Sequence, residues 1–262
     1  MTANIPPHHL GETLTATVNL IRNSDLIAVQ KLQKELHSVD QQIAATEYKI
    51  EEVGVAELLD KKREALIEER KKIEESFLQL KRKINQELVN DLRGPDFPTG
   101  GYILEKEKLP SIYEKGEGTI YLRAKARILS SREIINRKEI EGTEKSARNI
   151  IWVTELPYKV SKSSLVTNIS QIIKDKKIPG LKYIGDYSNR GIIDIRITFD
   201  AQQYDGQIIL NKLYKNTQLQ IGFAVKMRAL MGDSPKIFSL MEVLQAFISN
   251  RLENIRRRSQ FQ

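Results

Sequence analysis

Hydrophobic and polar residues alternate most regularly at positions 119–128, which read T-I-Y-L-R-A-K-A-R-I. Every second residue from Ile120 to Ile128 is apolar, and a period of two over this length predicts a half-buried β-strand. Three cations share the polar face of this strand: Arg123, Lys125 and Arg127.

Two interpretations of this basic strand follow. The cations contact a nucleic-acid backbone, where phosphates carry most of the affinity, or they form a solvated sheet face and pair with a neighbouring strand. Asp194 and Arg196 lie in a later alternating segment and are candidate partners under the second interpretation.

Residues 29–92 have a helical period instead. Apolar residues in 32–53 and in 59–84 recur at the heptad spacings, and the register breaks beside Gly54. This pattern predicts two antiparallel helices that pair as a coiled-coil hairpin, with one long helix in a dimeric coiled coil as the alternative. Arg63 and Arg70 fall on seam positions, while the mixed-sign charge runs are typical of solvated helix faces.

The rest of the chain predicts a mixed domain. Glycine and proline at 94–101 end the helical segment. We expect strands at 102–104, 148–156, 183–187 and 192–199, helices at 10–21, 111–115, 161–174, 207–216 and 239–262, less regular chain at 217–229 and a loop at 231–235. The fold class is therefore α+β: a β-sheet packed by helices, an antiparallel helical hairpin and a long C-terminal helix.

Composition narrows the function. The 262 residues include no Cys and three His, which excludes thiolate chemistry and argues against a zinc site. Residues 29–93 hold 13 basic and 14 acidic residues, so the other segments must carry +9 to give the net charge of +8, and this excess indicates a polyanionic partner. Because no apolar run could span a bilayer and no signal peptide is recognisable, we expect a cytoplasmic protein without a membrane partner.

Catalytic motifs are not recognisable. The sequence has no phosphate-binding glycine loop and no nucleophile elbow, and His8 and His9 lack a third ligand at metal-binding spacing. We therefore expect no catalytic residue, no metal site and no cofactor in this chain. A binding or scaffolding module is favoured over a stand-alone nuclease.

Seven blocks of sequence carry a family resemblance. They are N-I-P-P-H-H-L at 4–10, G-P-D-F-P-T-G-G at 94–101, Y-E-K-G-E-G at 113–118, L-R-A-K-A at 122–126, T-E-L-P-Y-K-V-S-K at 154–162, L-N-K-L-Y-K-N-T-Q-L-Q at 210–220 and R-R-R at 256–258. In this order they resemble the A subunit of bacterial type IIA DNA topoisomerases, the family that contains the A subunits of DNA gyrase and topoisomerase IV.

The resemblance implies four regions. Residues 1–28 would be the exit helix from a winged-helix domain that this chain lacks, and 29–93 an inserted coiled-coil hairpin. Residues 94–238 would be the tower domain, a mixed α/β domain, and 239–262 the start of a long coiled-coil arm.

The resemblance also implies a function, in which the tower binds and bends double-stranded DNA for ATP-dependent breakage, passage and rejoining. The partners would be the B subunit together with a second copy of the A subunit in an A2B2 assembly on the chromosome. Mg²⁺ and ATP would be bound by missing domains and by the B subunit. The expected DNA-binding residues are Arg123, Lys125, Arg127, Lys159, Ser161 and Lys162.

Two departures from the family pattern qualify this interpretation. The family's catalytic Tyr follows an Arg upstream of the first block, whereas none of the nine Tyr here follows an Arg. We therefore expect the chain alone to be inactive. The hairpin at 29–93 is extra, and its near-zero charge argues against DNA. The alternative function is a coiled-coil interaction or scaffold protein that reuses the tower fold without topoisomerase activity.

Overall fold

The computed structural model describes residues 4–53, 57–129, 149–231 and 234–261. Contacts between Cα atoms divide the chain into two compact units. A helical unit takes residues 1–95, 109–117 and 226–262, and a mixed unit takes residues 96–108 and 118–225.

The helices and strands follow one another along the described chain. They are α1 (Leu10–Arg22), α2 (Ser24–Val53), α3 (Glu57–Leu92), β1 (Tyr102–Leu104), a 3-10 turn (Lys106–Lys108), α4 (Leu109–Lys115), β2 (Glu117–Arg123), β3 (Lys125–Leu129), β4 (Asn149–Glu155), α5 (Lys162–Lys174), β5 (Leu181–Asp186), β6 (Ile195–Phe199), α6 (Gly206–Asn216), β7 (Gln220–Lys226), β8 (Arg228–Met231), β9 (Ser234–Ile237) and α7 (Leu240–Phe261). Helices accompany antiparallel sheets, so the predicted α+β class is confirmed.

Helices α2 and α3 form the predicted antiparallel hairpin. In the described parts of the two helices, ion pairs join them at Arg63–Glu47 (2.9 Å), Arg70–Asp40 (2.7 Å) and Lys83–Asp25 (2.7 Å). Residue numbers rise along one helix as they fall along the other, so the single-long-helix alternative is wrong. The seam arginines turn outward to acids on the facing helix. Such exposed pairs add little stability but fix which residues face each other.

The apolar stripe of α1 is not the face that packs, and the apolar stripe of α7 packs only in its first turns. On α1, Ala16 and Leu20 are buried, while the stripe predicted from the sequence is exposed: Leu10, Leu14, Val18 and Ile21. On α7 only the first turns are buried, and Phe247 and Leu252 face solvent. None of the helices in the described chain combines the length and apolar character of a bilayer span.

The mixed unit contains two sheets where one basic strand was expected at 119–128. Strand β2 lies between β1 and β7, while β3 is the edge of a second sheet in the order β3–β4–β6–β5. The break falls at Ala124, whose backbone N–H donates to the carbonyl of Leu219 at 2.8 Å. Arg123 therefore belongs to a different sheet from Lys125 and Arg127, and the prediction of one continuous strand is wrong.

The core of the mixed unit lies on one face of the second sheet. Helices α5 and α6 cover it, and the isoleucines of the central strands are almost completely buried together with residues of α5: Ile151, Ile195, Ile197, Leu165 and Ile169. Leu165 and Ile169 lie four residues apart on one face of α5, and this face packs on the sheet. This packing fixes the start of α5, and with it the loop at 157–161.

The proposed partners of the basic strand pair with each other instead. Arg196 donates to Asp194 through Nε at 3.0 Å and through an Nη at 2.7 Å. Strand β4 separates their strand from β3. The prediction that these two residues are partners of the basic strand is therefore wrong.

Three strands in 217–237 were not predicted. Strand β7 buries Phe223 and Val225 on one side, but Gly222 interrupts its pattern. Strands β8 and β9 pair directly over four residues each, with Pro235 inside β9. Edge strands tolerate Gly and Pro, which is why the sequence there resembles irregular chain.

The N-terminal segment is fixed to the helical unit by two contacts. Asn4 and Lys226 exchange two backbone hydrogen bonds of 3.0 Å, and the Nε2 atom of His8 lies 2.7 Å from the hydroxyl of Tyr113. Burial lowers the pKa of His8, although a hydrogen bond to Pro6 and the charge of Glu12 oppose this.

We predict that His8 makes the protein less stable below neutral pH. Because the pKa of His8 is lower in the folded than in the unfolded chain, the unfolded chain binds the proton first as the pH falls through about 6.5. The free energy of unfolding, measured with urea, should therefore decrease as the pH is lowered from about 7.5 to about 5.5, a range centred on about 6.5.

The variant His8→Gln should lose this part of the pH dependence. His9→Gln changes an exposed neighbour and should retain the wild-type slope. Identical slopes for wild type and His8→Gln would refute the assignment to His8.

Candidate nucleic-acid interface

The glycine-rich loop at 96–101 is held by the carboxylate of Glu155. The N–H of Gly101 donates to Oε2 of Glu155 at 2.6 Å. Gly100 and Gly101 have positive φ angles of 71° and 90°. A Cβ on Gly101 would lie 2.8 Å from the carbonyl oxygen of Arg123, so no side chain fits there. The two glycines let the loop approach both strands.

The second oxygen of Glu155 accepts a hydrogen bond from Lys125. The Nζ–Oε1 distance is 2.9 Å, and each side chain is about one-third exposed. The hydrogen bond from Gly101 lowers the pKa of Glu155 most, and the bond from Lys125 lowers it further. The carboxylate therefore stays ionised at neutral pH, and Lys125 is paired rather than bare.

The guanidinium of Arg123 lies over an aromatic ring on α6. Its guanidinium carbon is 4.5 Å from the ring centre of Tyr214, and its Nε donates to Oε1 of Gln220 at 2.9 Å. Burial raises the pKa of Tyr214, while the charge of Arg123 opposes that rise. The stacking leaves the two terminal nitrogens of Arg123 without a hydrogen bond inside the described chain.

Arg127 lies on the same strand as Lys125 but does not contact Glu155 or the 96–101 loop in the described chain. It is exposed on β3, directly across from Trp152 on β4, and makes no ion pair with any residue in the described ranges. Of the three cations predicted to form a row, it is the most open to solvent.

An aromatic cluster positions Lys159. The ring centre of Phe97 lies 5.3 Å from Tyr158 and 5.2 Å from Phe223. The ammonium of Lys159 lies 5.5 Å from the ring centre of Phe223. Its backbone has a φ of 68°, an uncommon conformation for a residue with a side chain. The ammonium of this exposed residue is thus held at the loop that precedes α5.

Helix α5 begins beside this lysine. Ser161 occupies the N-cap position, but its hydroxyl makes no capping bond and lies 3.1 Å from the hydroxyl of Ser163. The first turn contains no acid, so its free N–H groups favour an anion. Lys162 pairs with Asp186 at 2.8 Å. Burial raises the pKa of Asp186, but hydrogen bonds from Lys162 and Ser188 outweigh it and lower the pKa overall.

The structure thus brings three of the six predicted residues, Arg123, Lys125 and Lys159, around one loop. The 96–101 loop contacts Glu155, and through it Lys125, and its Phe97 contacts the ring beside Lys159. Glu155, Tyr214 and Gln220 were not predicted, since they lie far along the chain from the cations they contact. Among the described residues no group of three His, Asp or Glu side chains is arranged to hold a metal ion.

Comparisons with known proteins identify the family. The profile of the DNA gyrase/topoisomerase IV A subunit matches residues 71–262. Because this match covers more than half of the chain, the chain belongs to that family.

Individual relatives agree with the family assignment. The DNA gyrase A subunit of Haemophilus influenzae is 40% identical over 178 residues, which are 67% of this chain and 18% of the relative. The DNA gyrase A subunit of Leptospira biflexa is 30% identical over all of this chain and 22% of its own length. The chain thus spans about a fifth of the length of the curated relatives that it matches.

We predict that Gly101→Ala destabilises the mixed unit more than Gly191→Ala. Both positions have positive φ, where a Cβ costs about 1 kcal/mol or more, but only Gly101 also meets the carbonyl of Arg123. A Cβ on Gly191 would have no atom within 4 Å. Chemical denaturation of the two variants would test this, and equal losses would show that the close approach of the loop costs nothing.

Proposed function

We propose that this chain is the DNA-binding tower part of the A subunit of a type IIA topoisomerase and that it contacts the backbone of the gate duplex. The observation that carries the proposal is a cationic junction in a member of this family. The junction consists of Arg123, Lys125 and Lys159 around the 96–101 loop, with Ser161 and Lys162 at the adjoining start of α5. Curated relatives are A subunits of DNA gyrase. Phosphates supply most of the affinity for DNA, and this junction presents cations, hydroxyls and a helix N-terminus.

The cations of the proposed interface fall into two groups, exposed cations and cations paired with carboxylates. Arg127 and Lys159 are exposed, so phosphate can approach both from solvent, and the ammonium of Lys159 is also held over the rings of Tyr158 and Phe223. Lys125 and Lys162 are held by Glu155 and Asp186 and must exchange a carboxylate for a phosphate.

Other donors complete the proposed interface. Arg123 offers its two outer nitrogens as a fork, which suits phosphate oxygens. Ser161 and the first turn of α5 supply neutral donors.

The larger activity belongs to the longer protein. We propose that this segment binds and bends the gate duplex within an A2B2 assembly, whose other parts carry out ATP-dependent breakage, passage and rejoining. The catalytic Tyr, Mg²⁺ and ATP would lie outside this chain, in a cytoplasmic assembly on the chromosome. Bending a duplex costs on the order of 1–6 kcal/mol, which backbone contacts of this kind must offset.

We predict that the chain binds a duplex of about 30 base pairs with strongly salt-dependent affinity. Each phosphate contact contributes a slope of about −0.9 in log K against log salt, so Arg127→Gln and Lys159→Gln should each reduce the slope by about one. Fluorescence anisotropy of a labelled duplex, titrated at several salt concentrations, measures both quantities. Weak binding with a flat salt dependence would contradict the proposal and favour an interaction scaffold.

A shortened hairpin provides the matched control. Residues 41–69 can be replaced by a short Gly-Ser turn, because Asp40 and Arg70 already face each other across the hairpin at 2.7 Å. The buried residues at its base, including Val29 and Ile84, remain. We expect no loss of duplex affinity, since residues 41–69 include eight acidic and four basic residues and carry a net charge of −4. A large loss would show that the hairpin contacts DNA.

We predict that Glu155→Gln strengthens DNA binding. Glutamine keeps an oxygen to accept from the N–H of Gly101 but removes the charge that pairs with Lys125. The released ammonium should raise the affinity and make the salt slope steeper by about one. The double variant Glu155→Gln with Lys125→Gln should lose this gain. No difference between wild type and Glu155→Gln would exclude Lys125 from the interface.

A further inference from the structure

The outer face of the β1–β2–β7 sheet is open. On β2 the residues pointing inward, Ile120 and Leu122, are buried, while the residues between them face solvent. Tyr121 is 40% exposed, and Tyr102 on β1 is 50% exposed. A sheet that packs only one face leaves the other available to a partner.

This face is a surface of hydrogen-bond donors. Tyr102 lies directly across from Arg123, and Arg123 donates to Gln220 on β7. Thr119 and Tyr121 point to the same side two residues apart. Glu117 is the one acid in the three strands. It is the first residue of β2, whereas Arg123 is the last.

Gly222 keeps the middle of this face flat. A Cβ there would lie 3.4 Å from the Cγ2 atom of Thr119 and 3.7 Å from a ring carbon of Tyr121. Those are ordinary contact distances, and the φ of Gly222 is not positive, so larger residues are sterically allowed. The glycine therefore leaves the ring and hydroxyl of Tyr121 open from the β7 side.

We propose that this face is a second backbone contact for duplex DNA, in which the hydroxyls of Tyr102, Thr119 and Tyr121 donate to phosphate oxygens beside Arg123. Hydroxyls of Tyr and Thr are common phosphate donors, and donors spaced along a strand at roughly 6.6 Å can follow one nucleic-acid backbone. The partner is duplex DNA because Arg123 joins this face to the cationic junction. The inference rests on the proposed function and adds uncharged contacts to it.

Uncharged donors can be distinguished from lysines by the salt dependence of the binding affinity. A hydroxyl that bonds to phosphate adds affinity without displacing a counterion, so its removal should lower affinity at every salt concentration and leave the slope unchanged. The double variant Tyr102→Phe with Tyr121→Phe keeps both rings and removes both hydroxyls. We expect about 10-fold weaker binding of the same duplex with the wild-type salt slope.

Tyr183→Phe is the matched control. It removes a hydroxyl from a tyrosine that is 57% exposed on the other sheet of the mixed unit, and it should bind like wild type. Gly222→Glu adds a carboxylate in the middle of the donor face and should weaken binding by more than about 10-fold, while Gly222→Gln, its neutral counterpart, should have a smaller effect.

The outcomes separate this inference from the proposed function. If wild type does not bind duplex DNA, the proposed function fails. If wild type binds with a steep slope but the phenylalanine variant and Gly222→Glu bind equally well, the donor face is not a contact and the cationic junction alone stands. If alanine at 102 and 121 weakens binding while phenylalanine does not, the rings make the contact and the hydroxyl assignment is overturned.

Discussion

One carboxylate holds the proposed DNA-facing part of this protein together. Glu155 accepts the N–H of Gly101 with one oxygen and the ammonium of Lys125 with the other, so one side chain connects the glycine loop, strand β3 and strand β4. The approach is possible only because Gly100 and Gly101 have no side chains and adopt positive φ. With the loop in place, Phe97 reaches Tyr158 and Phe223, and their rings position Lys159.

Ion pairs of this kind serve both the stability of the free protein and the proposed binding. The partly exposed cations Lys125 and Lys162 are paired with carboxylates in the free protein and would be paired with phosphate in the complex. The exchange avoids leaving either cation without a counter-charge, which is the costly state for a partly buried group. Exposed cations such as Arg127 need no exchange and instead supply long-range attraction. On the proposed function, a surface with both kinds of cation would bind a polyanion while keeping the free protein folded.

The charges of the helical hairpin differ from those of the proposed DNA-facing part. Its charges pair across the two helices, as Arg63 with Glu47 and Arg70 with Asp40, and leave almost no net field. The family profile begins at residue 71, within α3, whereas the match with the Leptospira biflexa relative extends through α2. The match with this relative thus covers the whole hairpin, whereas the family profile covers only the second half of α3. Its neutrality distinguishes it from the basic mixed unit.

The sequence by itself determined the local structure and the chemical character of the surfaces. The heptads predicted the hairpin, and the period of two predicted an extended segment with cations on one side. The motif residues also predicted the 157–162 loop as a candidate contact.

Tertiary structure decided which strands and charges meet. The chain stays extended through Ala124, so the alternation is the same whether the segment remains in one sheet or leaves it for another, and only the hydrogen bond to Leu219 shows the change. Likewise, Glu155 is paired with Lys125, and Tyr214 with Arg123, across long stretches of sequence. Local spacing carries no record of such contacts, because they arise from the packing of distant segments around a common core.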